Sequence, residues 1–194
     1  MTDQSVRRRE QIMKEARKLF AKKDYHEVKV SDVAKKCRVA KGTVYLYFDS
    51  KSDLFVRVFI QSIDHIIQDI RKILFLDNDL RTTLMNIFDY YEDSVRKDDY
   101  FRRFGGMHQG FSGNFPTKVA NKIKKSIFSR IEDLENEVVD FLGNYFSGIE
   151  INLRDLYFLL VAILVAIAKS DSETIKDTAL SLILGELNKH MLNK

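Results

Sequence analysis

The sequence contains few of the residues that interrupt helices or cross-link a chain. Its 194 residues include one proline, eight glycines and one cysteine, Cys37. So few helix breakers fit a chain that is helical throughout. A lone cysteine excludes a disulfide within the chain and is usual in a reducing cytoplasm. We therefore expect an all-α, cytoplasmic protein in which Cys37 packs into a core.

Metal, membrane and catalytic motifs are also missing. The histidines at positions 26, 65, 108 and 190 never pair at the spacing of metal ligands, so we predict no metal site and no cofactor. The longest apolar stretch without a charge, residues 156–168, has thirteen residues and is too short to span a bilayer. Residues 1–25 are charged and amphipathic, unlike a signal segment. Because no nucleophile, base and orienting group stand in a recognisable order, a helical enzyme is a remote alternative.

Positive charge is concentrated in the first part of the chain. Residues 1–58 hold 15 Lys and Arg against 8 Asp and Glu, whereas residues 59–194 hold 17 against 20. A basic small segment joined to a mildly acidic larger one suggests a polyanionic partner for the first part only. A solvated charged face would give the same asymmetry, so charge alone does not decide between the two.

Apolar residues recur at helical spacing along most of the chain, and we predict about nine helices. Three of them form an N-terminal domain, residues 1–57, and the others form a C-terminal helical domain, residues 58–194. The fourth helix crosses this boundary and keeps its apolar spacing for about 24 residues, or roughly 36 Å. A rigid rod shared by two domains is a mechanical link between them.

Residues 30–54 predict a helix-turn-helix. Two short helices, residues 32–37 and 41–47, are separated by a tight turn. Val44 and Phe48 lie four positions apart and can anchor the second helix in a core. Most other side chains of this helix can donate hydrogen bonds or lie flat against a partner. A helix held by one edge, with a polar and aromatic edge exposed, suits the major groove of DNA.

Residues 8–55 resemble the DNA-binding domain of the TetR family of bacterial transcriptional regulators. The resemblance runs from R-R-E-Q-I-M-K-E-A-R-K-L-F through D-V-A-K-K-C-R-V-A-K-G-T-V-Y-L-Y-F to S-K-S-D-L-F. Family members usually carry Gly where Arg38 stands and Ser or Thr where Ala40 stands. A left-handed conformation at Arg38 costs roughly 1–2 kcal/mol, and Ala40 forfeits an N-cap worth ~1 kcal/mol. We expect the domain to fold with a turn that is strained or slightly reshaped.

The resemblance also implies which side chains meet DNA. Those expected to bind phosphates beside the groove are Lys41, Thr43, Tyr47 and Lys51. Tyr45 and the exposed edge of Lys41 and Gly42 are expected at base edges, because Gly42 lets the backbone approach closely. Tyr47 could instead be a half-buried core tyrosine, and Lys51 an ordinary surface lysine. The three arginines at residues 7–9 either reach the DNA or form a solvated arm.

Aromatic and apolar residues surround a glycine-rich stretch, residues 105–113, which we predict to be a mobile loop beside an effector pocket. The candidate pocket residues are Phe88, Tyr91, Phe101, Phe104, Met107, His108, Phe111, Ile123 and Ile127. Each alone is more often a core residue than a ligand contact. Together they suggest a hydrophobic effector, such as a lipophilic drug or a fatty-acyl compound. Asp89 or Glu92 is available if the effector is cationic.

The apolar stretch at residues 156–168 predicts a homodimer. A helix that is apolar all round must be buried all round, so one of its sides needs a partner. The candidate interface residues are Leu156, Leu160, Ala162, Ile163, Ala166, Ile167, Ile175, Ala179, Leu182 and Ile183. The last two helices from two copies would form a four-helix interface, as the resemblance also implies. The sequence does not decide which of Ala162 and Ala166 faces the partner.

These features together predict a ligand-responsive transcriptional regulator. We expect a repressor that binds a palindromic operator in double-stranded DNA and is released by a hydrophobic small molecule. Effector binding against the fifth to seventh helices would tilt the fourth helix and change the separation of the two recognition helices. The alternative is a DNA-binding protein of the same fold that takes no small molecule and acts through a protein partner.

Overall fold

The computed structural model describes residues 3–76, 78–104, 116–146 and 152–169, together with four helical residues at 178, 181, 182 and 185. Eight helices occur in these ranges: α1 (Asp3–Lys22), α2 (Val30–Cys37), α3 (Lys41–Tyr45), α4 (Lys51–Leu74), α5 (Leu80–Lys97), α6 (Asp99–Phe104), α7 (Thr117–Gly143) and α8 (Leu153–Lys169). The described residues contain no strand, so the all-α prediction is confirmed for them. The ninth helix falls largely outside the described residues and stays a prediction.

α4 has the length that the sequence predicts, whereas the two short helices of the helix-turn-helix differ from their predicted bounds. α4 has 24 residues, as expected. α2 begins at Val30, two residues before the predicted start, and its N-cap Lys29 makes no side-chain hydrogen bond. α3 ends at Tyr45, two residues before the predicted end. Short helices owe their limits to tertiary packing more than to propensity, so sequence patterns locate their ends poorly.

Side-chain caps begin α4, α5, α6 and α8. Ser50 Oγ accepts a hydrogen bond of 3.1 Å from the backbone N–H of Asp53 at the start of α4. Asn152 Oδ1 accepts one of 3.0 Å from the backbone N–H of Arg154 at the start of α8. Such bonds satisfy N–H groups that have no partner inside the helix.

The chain forms two compact units. The first contains Met1–His65 and Asp98–Ser129. In it, α1 packs against α2 and α6, and α2 packs against α3. The largest fully buried side chains of its core are Ile12, Phe20, Val28, Val33, Phe48, Leu54, Phe55, Tyr100 and Ile123. This core holds the helix-turn-helix in place.

Charged pairs join α1 to the segment that carries α6 within the first unit. The Arg17 guanidinium contacts Asp98 Oδ2 at 2.5 Å and lies over the Tyr100 ring, 4.9 Å from its centroid. Arg103 also donates to Asp24. Burial raises the pKa of the Tyr100 hydroxyl far above its ordinary value.

The second unit contains Ile66–Lys97 and Arg130–Lys194. α5 packs against α8 around a core that includes Leu84, Phe88, Leu142, Phe146 and Leu160. Arg71 donates two hydrogen bonds of 2.7 Å to the Glu137 carboxylate. A bidentate pair of this kind fixes two helices more specifically than a single ion pair does.

The predicted functional boundary between residues 57 and 58 differs from this division by packing. α4 begins in the first unit and ends in the second, and α6 and the start of α7 contribute Tyr100, Val119 and Ile123 to the core of the first unit. Where DNA recognition ends and effector recognition begins therefore stays a prediction. Among the described residues, no helix has the length and apolar character needed to cross a membrane.

Candidate nucleic-acid interface

α3 is held in the first unit by two apolar anchors. Val44 and Phe48 are each 1% exposed and belong to the core of that unit. The backbone keeps a helical hydrogen bond beyond the end of α3, because the Phe48 N–H donates to the Val44 carbonyl at 3.1 Å. The sequence predicted this pair of anchors. Because they occupy one edge of a short helix, the opposite edge is left to the solvent.

The exposed edge of α3 carries one cation, one glycine and two large side chains. Lys41 and Gly42 are exposed, Tyr45 is 44% exposed and Leu46 is 83% exposed. The Lys41 Nζ lies 5.8 Å from the centroid of the Tyr45 ring. Sequence reasoning missed Leu46 as a candidate contact. It lies two residues from each anchor, which places it on the opposite side of the helix.

Four cations surround the turn between α2 and α3. We call them the turn cations: Lys35, Lys36, Arg38 and Lys41. All four are exposed, and none forms an ion pair or a side-chain hydrogen bond within the described part of the chain. By contrast, Arg57 of the same unit contacts Asp53 at 2.9 Å. Unpaired cations beside an exposed helix form a surface that attracts polyanions.

The turn itself contains a residue in the left-handed conformation. Arg38 has φ 57° and ψ 44° and is the one non-glycine residue with positive φ in the described chain. Its N–H donates to the Lys35 carbonyl at 3.1 Å, and the Val39 N–H donates to the Ala34 carbonyl at 3.0 Å. Ala40, the N-cap of α3, makes no side-chain hydrogen bond. Both expected departures, the strained residue and the missing cap, are therefore confirmed.

Gly42 has no structural reason inside the protein to be glycine. It lies in α3 with an ordinary helical φ, and a Cβ built on it would meet no atom within 4 Å. Glycine in a helix is about 1 kcal/mol less favourable than alanine. Glycine here therefore makes the helix less stable than alanine would, and it relieves no steric contact within the described chain.

Lys51 points back into its own unit. Its Nζ donates to the carbonyls of Tyr25, His26 and Val28 at 2.8, 3.3 and 3.1 Å. It also lies 4.4 Å from the centroid of the Tyr25 ring. Partial burial lowers the pKa of this ammonium. All three N–H donors thus hold the connection between α1 and α2, a role that sequence reasoning missed. The predicted phosphate contact of Lys51 is untested.

Tyr47 and Cys37 lie on the inner side of the helix-turn-helix. Tyr47 is half-buried and packs against the core of the first unit, in keeping with the alternative that the sequence left open. Cys37 is buried, and its Sγ–H donates to the Gln11 carbonyl at 3.8 Å. Burial and, to a smaller extent, the charge of Glu15 raise the pKa of the Cys37 thiol. A buried protonated thiol fits the expected packing role.

The predicted effector residues fall into three groups. Phe88 and Tyr91 are buried in the second unit, and burial raises the pKa of Tyr91. Ile123 is buried in the core of the first unit, and Ile127 packs against that core. The side chains of Phe101, Phe104, Met107, His108 and Phe111, and the predicted loop at 105–113, lie outside the described residues. The pocket therefore stays a prediction.

The second unit also buries a polar residue. Thr83, on α5, is fully buried, and its hydroxyl has no hydrogen-bond partner among the described residues. No group of three or more His, Cys, Asp or Glu side chains in the described chain could hold a metal ion.

The predicted dimer residues of α8 divide between two sides of the helix. Leu160 is buried in the core of its own unit, and Leu156 and Ile163 pack against that core. The exposed side instead carries Ala162 and Ala166 and two residues that sequence reasoning missed, Phe158 and Leu159. Leu182 is helical and exposed, whereas the side chains of Ile167, Ile175, Ala179 and Ile183 lie outside the described residues. An interface on α8 would therefore use the exposed side rather than Leu160.

Comparison with known proteins identifies the first part of the chain. Residues 12–58 match the family model for bacterial regulatory proteins of the tetR family. The chain is similar to the fatty acid metabolism regulator protein of Bacillus subtilis (strain 168), with 38% identity over 58 residues, 30% of this chain and 30% of that protein. The chain spans less than half of the length of the curated relatives that it matches.

Solved structures extend the similarity of fold beyond the first unit. The fatty acid degradation regulator FadR of Bacillus halodurans gives a TM-score of 0.69 at 20% identity, covering 92% of this chain and 95% of that one. FadR of Bacillus subtilis in complex with stearoyl-CoA gives 0.66 at 17% identity, covering 89% and 95%. At such identities the similarity shows the fold alone. The helix-turn-helix segment of the chain, within residues 12–58, is thus similar to that of bacterial regulatory proteins of the tetR family.

Proposed function

We propose that this protein is a ligand-responsive transcriptional repressor that binds a palindromic operator as a homodimer. The exposed edge of α3 is the observation that carries the proposal. It presents Lys41, Gly42, Tyr45 and Leu46 to the solvent, while Val44 and Phe48 hold the helix from behind. A helix supported in this way can enter the major groove without disturbing its own core.

The side chains on this surface divide into two kinds of contact. Lys41 and Thr43 are proposed to bind phosphates, and Tyr47 can add its hydroxyl from its half-buried position. Tyr45 and Leu46 are proposed to meet base edges, with Leu46 suited to a thymine methyl group. The cost of glycine at Gly42 is accounted for if a base pair or the DNA backbone approaches where a Cβ would stand.

A homodimer is proposed because the exposed side of α8 is apolar. Phe158 is 57% exposed and Leu159 is 50% exposed, and Ala162 and Ala166 continue the same side. Small residues flanked by large apolar ones let two helices pack closely. Two copies would then present two recognition helices to two half-sites about 34–36 Å apart, or a multiple of that spacing.

A fatty-acyl compound is the effector class that we propose. The aromatic and apolar candidate pocket residues suggest a hydrophobic effector. The similar regulators are named for fatty acid metabolism or degradation, and one of them was solved in complex with stearoyl-CoA. The proposed response uses α4, one continuous helix that begins beside the helix-turn-helix and ends in the second unit. An effector that favours one orientation of α4 by ~3 kcal/mol would weaken operator binding on the order of a hundredfold. The proposal includes no catalytic step.

Selection of binding sites from random duplex DNA tests the proposal and yields the operator sequence in the same experiment. The full-length protein should enrich a palindrome with two half-sites. Binding to the enriched sequence is then measured with stearoyl-CoA, with free stearate and with coenzyme A alone. We expect an acyl compound to release the DNA and coenzyme A alone to leave it bound. Absence of any enriched sequence would exclude the DNA-binding part, and release by none of the acyl compounds would exclude the effector class.

A further inference from the structure

Arg38 is an unusual residue for its position. It adopts a left-handed conformation, with φ 57°, that glycine accepts without steric cost and other L-residues do not. The two hydrogen bonds that close the turn come from the backbone N–H groups of Arg38 and Val39. Any residue other than proline would supply them. The arginine side chain therefore adds nothing to the turn that would offset its strain.

The side chain has no role elsewhere in the described chain either. It is exposed and makes no ion pair, hydrogen bond or aromatic contact within the described residues. Solubility does not explain it, because Lys35 and Lys36 supply exposed positive charge from α2 with ordinary helical backbones. Strained residues that persist in a fold are concentrated at functional sites. A partner for the guanidinium therefore lies outside the described residues.

We propose that the Arg38 guanidinium binds a backbone phosphate of the operator. It stands three residues before Lys41, the first residue of α3, among the other turn cations. A guanidinium presents a planar pair of N–H donors that matches phosphate oxygens. Such a contact adds affinity and fixes the approach of α3 without reading sequence. The inference rests on the proposed function, since it concerns the same DNA-binding surface.

The test separates the strain from the charge. Arg38→Gly removes both the strain and the charge, and Arg38→Lys keeps both. Arg38→Asn removes the charge and introduces a residue that tolerates the left-handed conformation better than arginine does. Arg57→Ala is the matched control, because it removes one exposed arginine of the same unit that already contacts Asp53. For each protein, the melting temperature is measured, and operator and random DNA are titrated between about 50 and 200 mM salt.

We expect Arg38→Gly to melt roughly 2–4 °C higher than the wild type. Its log–log salt slope should be smaller by about 0.9, the value of one phosphate contact. Over a fourfold rise in salt, the affinity advantage of the wild type over this variant should then shrink about 3.5-fold. The preference for operator over random DNA should be unchanged. Arg38→Asn should show the same smaller slope, and Arg38→Lys should keep the slope of the wild type.

The inference would be overturned if Arg38→Gly and Arg38→Asn had the same salt slope as the wild type and Arg57→Ala. Loss of sequence preference in these variants would overturn it too, because a phosphate contact carries none. If the wild type itself bound no enriched sequence, the proposed function would fail first. The two failures are therefore distinguishable in the same titrations.

Discussion

α3 and α8 both expose side chains that the described chain does not use, but the chemistry of the two surfaces differs. α3 has five residues, and with its C-cap Leu46 it leaves a cation, a glycine, a tyrosine and a leucine to the solvent. α8 has seventeen residues, and after its charged first turn its exposed described side chains are two large apolar ones and two alanines. Donors and cations suit a polyanion, whereas an apolar stripe with small residues suits another protein surface. The composition of each exposed side thus indicates the kind of partner.

The two helices are alike in how they are held. Each is anchored on one side by buried residues, Val44 and Phe48 for α3 and Leu160 for α8. The anchoring side therefore tells little about function, since burial serves stability in both. Changes on the exposed sides should leave each unit folded and alter binding, whereas changes to anchored side chains should alter stability.

A charge on the exposed side of α8 should have the largest effect. Ala162→Glu or Ala166→Glu would bury an unpaired carboxylate in the proposed dimer, near its own two-fold copy. That costs several kcal/mol, so we expect monomers and loss of operator binding. Because both alanines are exposed in the single chain, the subunit should still fold. Sedimentation velocity gives the oligomeric state and circular dichroism gives the fold.

Ser129→Glu is the control for these substitutions, because it places the same charge at an exposed position of α7. It should remain dimeric if the wild type is. If both alanine variants are dimeric and bind the operator, the interface lies elsewhere on the chain. The apolar exposed side of α8 would then need a different partner.

The Lys51 side chain points into its own unit, whereas the Lys41 side chain is exposed to the solvent. Substituting each by methionine should therefore separate effects on stability from effects on DNA binding. Lys51→Met removes three hydrogen bonds to the connection between α1 and α2, so we expect unfolding to become easier by about 1–3 kcal/mol. Its salt slope should equal that of the wild type, because the ammonium already has its acceptors. Lys41→Met should instead keep the melting temperature and flatten the slope by about 0.9.

Thermal melts and salt titrations of both variants measure this difference. A flattened slope in Lys51→Met would reinstate the phosphate contact that the sequence predicts. A lower melting temperature in Lys41→Met would mean that the exposed edge of α3 contributes to folding. Either result would weaken the distinction between anchored and exposed sides.

The sequence predicts α4 and α5 well because their apolar residues keep a strict helical period over five or more turns. It predicts poorly which side of α8 is buried in its own unit, since a helix that is apolar all round has no period to interpret. Leu160 and Ala162 are both apolar, and Leu160 alone is covered by the core of its unit, which is a tertiary property. For the same reason, the sequence did not predict the hydrogen bonds of Lys51 or the proposed role of Arg38. The order of residues shows neither the three carbonyls near Lys51 nor that Arg38 has no partner among the described residues.

Gly42→Ala should have the smallest effect on stability and the most informative one on binding. A Cβ at this position meets nothing within 4 Å, and alanine is the better helix former. The free energy of unfolding should therefore rise, by up to about 1 kcal/mol. If DNA approaches the Gly42 backbone closely, the added methyl group must instead weaken operator binding, which we expect on the order of tenfold. The matched control is Gly143→Ala, at the end of α7, where a Cβ would make an ordinary contact of 3.7 Å with Leu153. That variant should leave operator affinity unchanged. Chemical denaturation and fluorescence anisotropy with the selected operator give the two quantities. A Gly42→Ala protein that is more stable and binds as tightly as the wild type would show that this edge of α3 does not meet DNA closely.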